Sequence, residues 1–133
     1  FLLSLTFLFL FSGSVYGGEL EVKREYWDNG KLKSEFYYKN FQFQGLSTDW
    51  YRSGVKWKQF NYKNNKEDGI GFVWYQSGNK WMEFNYREGE LHGTLTTWYE
   101  SGSKKSERNY NHGNESGTWM EWSPDGKITF QKM

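Results

Sequence analysis

The chain of 133 residues has no cysteine, a single proline, two histidines and no excess of either charge. Without cysteine there is no disulfide, no thiolate metal site and no cysteine nucleophile. The 17 basic and 16 acidic residues leave a formal net charge of +1. That is far from the basic excess that binding along a phosphate backbone requires, so nucleic acid is not an expected partner. Opposite charges alternate along the chain instead of gathering in blocks, as on a solvated surface. Long apolar runs are scarce as well. The one such run, Phe1 to Phe11, falls short of the ~20 residues of a membrane span.

That run, FLLSLTFLFLF, is followed by the small residues Ser12, Gly13 and Ser14 and then by Val15-Tyr16-Gly17-Gly18. An apolar core with a small-residue exit is the pattern of an export signal, so residues 1–17 are expected to be one, with cleavage after Gly17. The run has no basic residue or initiator Met ahead of it, and no cysteine follows it, which excludes a lipoprotein anchor. The expected mature domain is 18–133, located in the periplasm, outside the cell or on its surface.

What the sequence has in abundance is aromatic side chains, at 22%, with 8 Trp, 10 Tyr and 11 Phe, together with 15 glycines. Mean hydropathy is nevertheless −0.94 and a quarter of the residues are charged. Aromatic residues and turn-forming glycines favour sheet. The polarity argues against a thick core, so a thin single-layer or solenoid-like sheet is expected.

Periodicity supports the same architecture. Trp50, Trp74, Trp98 and Trp122 recur every 24 residues, with Tyr26 one step earlier. Gly30, Gly54, Gly78, Gly102 and Gly126 keep that period, as do Tyr38, Tyr62, Tyr86 and Tyr110, and Gly45, Gly69, Gly93 and Gly117. Such a pattern is an internal repeat array, with units at about 21–44, 45–68, 69–92, 93–116 and 117–133.

The most legible turn is Ser123-Pro124-Asp125-Gly126-Lys127. Proline and Asp suit the two central positions of a type I turn, and glycine suits the left-handed residue that follows. This predicts a three-residue hairpin loop in which Ser123 pairs with Lys127. Asp28-Asn29-Gly30, Arg52-Ser53-Gly54, Gln76-Ser77-Gly78 and Glu100-Ser101-Gly102 are the corresponding tips. The expected fold class is all-β, an elongated antiparallel meander of about five tandem β-hairpins and ten short strands.

Simple alternation from these turns sorts the faces. It places Trp50 with Lys56, Lys58, Phe60 and Tyr62, and Trp74 with Ile70, Phe72, Met82, Phe84 and Tyr86, on a main packing face. The other face would carry Tyr51, Trp57 and Gln59, then Tyr75, Trp81 and Glu83, then Tyr99, Lys105 and Glu107. A register slip of one residue would exchange the sets.

The unit from Gly69 to Tyr86, with Trp74-Tyr75 ahead of Ser77-Gly78 and Lys80, resembles the bacterial MORN-repeat variant. The resemblance runs from about Tyr26 to Lys132. It implies an extended sheet of successive hairpins that serves in scaffolding, in binding proteins and sometimes at membrane surfaces. It implies no cofactor and supplies no catalytic residue. Some relatives are described as antitoxins, which sits poorly with an export signal. Others accompany lipid-kinase domains, but this chain has no glycine-rich phosphate loop and no HRD or DFG motif. The Trp-Tyr-x-Ser-Gly element is also similar to aromatic repeats of cell-wall and choline-binding modules, which use aromatic cages or stack on glycan.

Trp50, Trp74, Trp98 and Trp122, with Gly54, Gly78, Gly102 and Gly126, are read as structural. The second row, Tyr51, Trp57, Tyr75, Trp81 and Tyr99, is the candidate binding face. A single-layer sheet cannot cover both of its faces, so one aromatic row should stay accessible. A protein partner is expected first and glycan second. The near-zero charge gives little pull toward an anionic membrane, and the terminal hairpin edges leave self-association open.

Chemistry has weaker candidates. His92 and His112 fall at non-equivalent places in different loops and read as solvated side chains, with no ligand spacing among Glu67, Asp68, Glu90 and Glu115. Glu35, Glu83 and Glu107 recur at one strand position, which suits cross-strand partners for lysines such as Lys33, Lys58 or Lys105 better than an acid–base pair. The chain is therefore expected not to be an enzyme.

Overall fold

The computed structural model describes residues 18–133, so the expected export signal at 1–17 lies outside the described residues. Among the described residues all the regular structure is strand. In chain order it comprises β1 (Glu21–Tyr26), β2 (Leu32–Lys39), β3 (Gln42–Phe43), β4 (Gly45–Trp50), β5 (Lys56–Lys63), β6 (Lys66–Glu67) and β7 (Gly69–Trp74). It continues with β8 (Lys80–Arg87), β9 (Glu90–Leu91), β10 (Gly93–Trp98), β11 (Lys104–Asn111), β12 (Asn114–Trp122) and β13 (Ile128–Lys132). The strands form one open antiparallel sheet with the path β1-β2-β4-β5-β7-β8-β10-β11-β12-β13, and the two-residue strands β3, β6 and β9 pair beside β2, β5 and β8. Five hairpins thus follow one another without a crossover. The ten expected strands are this path, and the three short strands come in addition to them.

The first margin of the sheet is the turn margin. Tyr51 and Ser123 donate their backbone N–H groups to the carbonyls of Val55 and Lys127 at 2.8 Å, and Gly54 and Gly126 donate back to the carbonyls of Tyr51 and Ser123 at 2.8 Å. This is the three-residue loop expected from Pro124-Asp125-Gly126. Gly78, at φ +90°, shows why the third loop residue is glycine: a β-branched side chain resists that conformation. The opposite margin, the tip margin, carries two-residue turns whose central residues both have positive φ, such as Asn64 (51°) and Asn65 (68°). These are type I′ turns, whose twist matches that of antiparallel strands. Phe41 occupies one such place at φ 61° and is fully exposed.

The register departs from simple alternation at one repeated point. Each hairpin shifts by a residue just inside its turn: Trp50 opposes Lys56 but Asp49 opposes Lys58, and Trp74 opposes Lys80 but Val73 opposes Met82. The extra residue is Lys33, Trp57, Trp81, Lys105 and Thr129 in the successive units. A β-bulge of this kind puts two residues of one strand against a single residue of the other. Everything beyond it therefore changes sides relative to the turn.

The face assignment is corrected accordingly. Lys58, Phe60 and Tyr62 lie opposite Asp49, Ser47 and Gly45, away from Trp50, and Met82, Phe84 and Tyr86 lie opposite Val73, Gly71 and Gly69, away from Ile70, Phe72 and Trp74. Gln59, Glu83 and Glu107 move the other way, to oppose Thr48, Phe72 and Thr96.

One face, the spine face, carries the packing. Phe84, 6% exposed, is the large hydrophobic side chain buried among the described residues. Its ring lies 5.3 Å from that of Phe60 and 5.5 Å from that of Tyr86, with Phe43 bridging Tyr38 (4.5 Å) and Tyr62 (5.3 Å) further along. Offset and edge contacts of this kind suit aromatic rings. Small residues sit opposite the large ones. Ser47 faces Phe60 and Gly71 faces Phe84, so each ring can lie down on its neighbouring strand. In the fourth hairpin the spine position is Arg108, whose guanidinium lies 3.9 Å from the centre of the Trp119 ring.

Candidate functional site

The candidate face is built from the turn margin outward. The residue that opens each turn reaches across to the next hairpin. Trp27 Nε1 donates to the Trp50 carbonyl at 3.1 Å, and the hydroxyls of Tyr51, Tyr75 and Tyr99 donate to the carbonyls of Trp74, Trp98 and Trp122 at 2.8, 2.9 and 2.9 Å. The three tyrosines of the expected binding face are therefore half-buried rungs between repeats. Tyr75→Phe should cost about 1 kcal/mol, the net worth of one such hydrogen bond, with ligand-free secondary structure unchanged. Urea unfolding against wild type measures it.

Trp57 and Trp81 are placed differently. They are the bulge residues, which keeps them on the same side as the turn tyrosines. Trp81 stacks on Tyr75 at 5.5 Å and 27°, and Trp57 leans on Tyr51 at 6.0 Å and 39°. Each indole has one side supported, yet they remain 41% (Trp57) and 39% (Trp81) exposed. They lie two strands apart, about 10 Å at ordinary strand spacing. The equivalent positions on either side are lysines, with Lys33 over the Trp27 ring at 5.3 Å and Lys105 over Tyr99 at 5.5 Å. The site is thus a pair of fixed, exposed indoles with a cation beyond each end. Such an arrangement can stack on a flat or apolar group and attract a carboxylate next to it.

Beyond Trp81 the spine face opens into a hollow of about 480 Å³, where Lys105 and Ser106 replace the bulkier Trp81 and Met82 of the preceding hairpin. Arg108 and Glu121 line it, 3.4 Å apart, and Arg108 also faces Glu115 at 3.6 Å.

The ladder face, on the other side, is occupied by its own contacts. Trp50, Trp74, Trp98 and Trp122 are half-buried. Lys56 lies over Trp74 at 5.7 Å, Lys80 over Trp98 at 4.9 Å and Lys104 over Trp122 at 5.3 Å, each cation joining one hairpin to the next. The recurring carboxylates serve the same face. Glu83 pairs with Lys80 and Glu107 with Lys104, both at 2.7 Å, and Glu35 pairs with Arg24 at 2.6 Å. These partners differ from the expected Lys33, Lys58 and Lys105, because the bulge moves the carboxylates to the opposite side.

Two groupings escaped sequence reasoning. Val22, Leu46 and Ile70 are exposed in equivalent places of the first three hairpins, where the fourth and fifth carry Thr94 and Thr118. The period of 24 contained that signal. His92 and His112, read as separate, stand with ring centres 5.5 Å apart. Only the docking of one tip on the next brings them together.

The spine tyrosines give the sheet an alkaline limit. Burial, with the Glu67 carboxylate beside it, pushes Tyr62 up to about 12, and burial raises Tyr38 and Tyr86 as well. A phenol whose folded pKa is raised leaves stability intact below its unfolded value, near 10. That contribution is then lost as pH rises from about 10 through about 12. Melting temperature followed against tyrosinate absorbance should fall across that window, and less steeply in Tyr62→Phe.

The fold and site define a tandem-hairpin repeat protein with a pair of exposed indoles. The family described as MORN repeat variant matches residues 22–40, 43–64 and 91–112, so three stretches of the repeat array are similar to it. MORN repeats are generally protein- or membrane-binding repeat modules. No curated protein matches the chain.

Proposed function

We propose that this chain is an exported binding module that holds a protein partner through Trp57 and Trp81. The observation that carries the reading is their position: two indoles left exposed on tyrosine supports, in a sheet whose Trp50, Trp74, Trp98 and Trp122 are half-buried. Fixed aromatic anchors are what protein interfaces use to concentrate binding energy. Lys33 and Lys105 beyond the pair favour a partner surface with carboxylates near an apolar patch. The apolar run Phe1 to Phe11 with its small-residue exit supports export.

The test compares residues 18–133 with a Trp57→Ala/Trp81→Ala variant in capture from host-surface extract and from cell envelope. Capture of one protein by the wild type should fall at least tenfold in the variant. Its melting temperature should drop little, because neither indole is buried. Retention on envelope glycan, released by choline or free sugar, would replace the protein-binding reading with a wall-binding one. Equal capture by both proteins would remove the two indoles from the site.

A further inference from the structure

Along the tip margin each hairpin is docked on the one before it. Asn65 donates its backbone N–H to the Phe43 carbonyl at 3.1 Å, Gly89 to Glu67 at 2.8 Å and Gly113 to Leu91 at 2.9 Å. A side chain closes the first two joints. Gln44 Oε1 accepts from the backbone N–H of Asn64 at 3.1 Å, and Asp68 Oδ2 accepts from that of Glu88 at 3.3 Å. One unit further on, the corresponding residues are His92 and His112. The backbone bond is kept, but the side-chain bond is not: His92 Nδ1 is buried and has no hydrogen-bond partner. A buried polar atom without a partner is costly, and a bound ion would remove that cost.

The surroundings of that nitrogen suit a metal. The two rings stand 5.5 Å apart, centre to centre, at 65°. Two imidazoles sharing one zinc at ~2.1 Å per nitrogen would stand about 5 Å apart, close to the spacing of this pair. The Glu90 carboxylate lies 3.3 Å from His112 Nδ1. A carboxylate on one ring nitrogen commonly orients a histidine ligand, and it leaves Nε2 for the ion.

The geometry points to a two-histidine clip. His92 and His112 take a divalent transition-metal ion of the zinc class across the joint between the third and fourth hairpins, and Glu90 orients His112. Imidazole ligands favour zinc, copper and nickel over magnesium or calcium. Among the described residues no group of three or more histidines, aspartates or glutamates forms a metal centre. The clip is therefore an open, exchangeable site, unlike the closed four-ligand centres that hold structural zinc. Its occupancy would stiffen the array at one joint without changing the others.

The experiment is titration of the protein with zinc chloride, followed by calorimetry and by melting temperature, with magnesium chloride as control. Zinc should bind one ion per chain and raise the melting temperature, whereas magnesium should do neither. His92→Gln gives the joint the acceptor of Gln44, and His112→Asn gives it the residue of Asn64. Both should melt no lower than wild type without metal, and both should lose the zinc response. Glu90→Gln should weaken zinc binding by roughly ten- to a hundredfold. Wild type without saturable zinc binding would overturn the clip. So would a zinc response that survives in both histidine variants. Should His92→Gln fail to fold, the exposed His112→Asn decides alone.

Discussion

Phe84→Ala should lower the stability of the sheet by about 3 kcal/mol, the low end for a buried phenylalanine because the sheet is one layer thick. Phe84 fills the spine face at the centre of the array, against Phe60 and Tyr86, and covers Gly71. Its removal opens a gap that neither neighbour can reach across. Trp74→Ala removes a larger side chain but a half-buried one, so the loss there should be smaller. Urea midpoints of the two variants compare them directly. A larger fall for Trp74→Ala would mean that the ladder face carries the packing. Against the 5–15 kcal/mol of an ordinary domain, the Phe84 loss is a large share.

Gly71→Val should cost about 2 kcal/mol for the converse reason, overpacking. A Cβ on Gly71 would meet the Phe84 ring, with Cδ2 at 2.9 Å and Cζ at 3.1 Å and Cε2 nearer still. Ser47 and Leu95 hold the equivalent place, so a side chain there is compatible with the strand itself. Their partners differ in kind or in pose: Ser47 is small beneath Phe60, and Leu95 faces Arg108. The penalty therefore belongs to the contact with Phe84, and a double-mutant cycle with Phe84→Leu should recover part of it. A Gly71→Val protein that melts like wild type would show that the ring does not rest on that strand.

The hairpins, their turns and their number were legible in the sequence because the cause is local. Gly54, Gly78 and Gly126 mark positive φ wherever they occur, and Pro124-Asp125 fixes the loop that repeats elsewhere without proline. The faces were only half legible. Alternation is a local rule, and it holds from Tyr51 to Trp57. The bulge at Trp57 is a property of the pair of strands, set where Trp50 meets Lys56 and Asp49 meets Lys58. No composition signal marks it, since the extra residue is tryptophan in two hairpins, lysine in two and threonine in one. Of the candidate face, Trp57 and Trp81 remain exposed, whereas the Tyr51, Tyr75 and Tyr99 hydroxyls are used between hairpins. Those hydrogen bonds span 23 residues, beyond any pattern read within one unit. The meeting of His92 with His112 likewise depends on how two tips dock.

The tyrosine rungs have a consequence for how such a protein changes over time. Each rung ties a hairpin only to the next, and every acceptor is a backbone carbonyl at the same place in its unit. An in-frame loss of residues 69–92 would bring the Tyr51 hydroxyl to the Trp98 carbonyl, with the same margins on both sides. An in-frame duplication would do the reverse. Copy number can thus drift in steps of 24 residues without a new folding problem, because stability is a sum over neighbours. Every step adds or removes about 10 Å of reach. Gain or loss of a unit therefore changes the length of the array while the tyrosine rungs between its hairpins stay the same in kind.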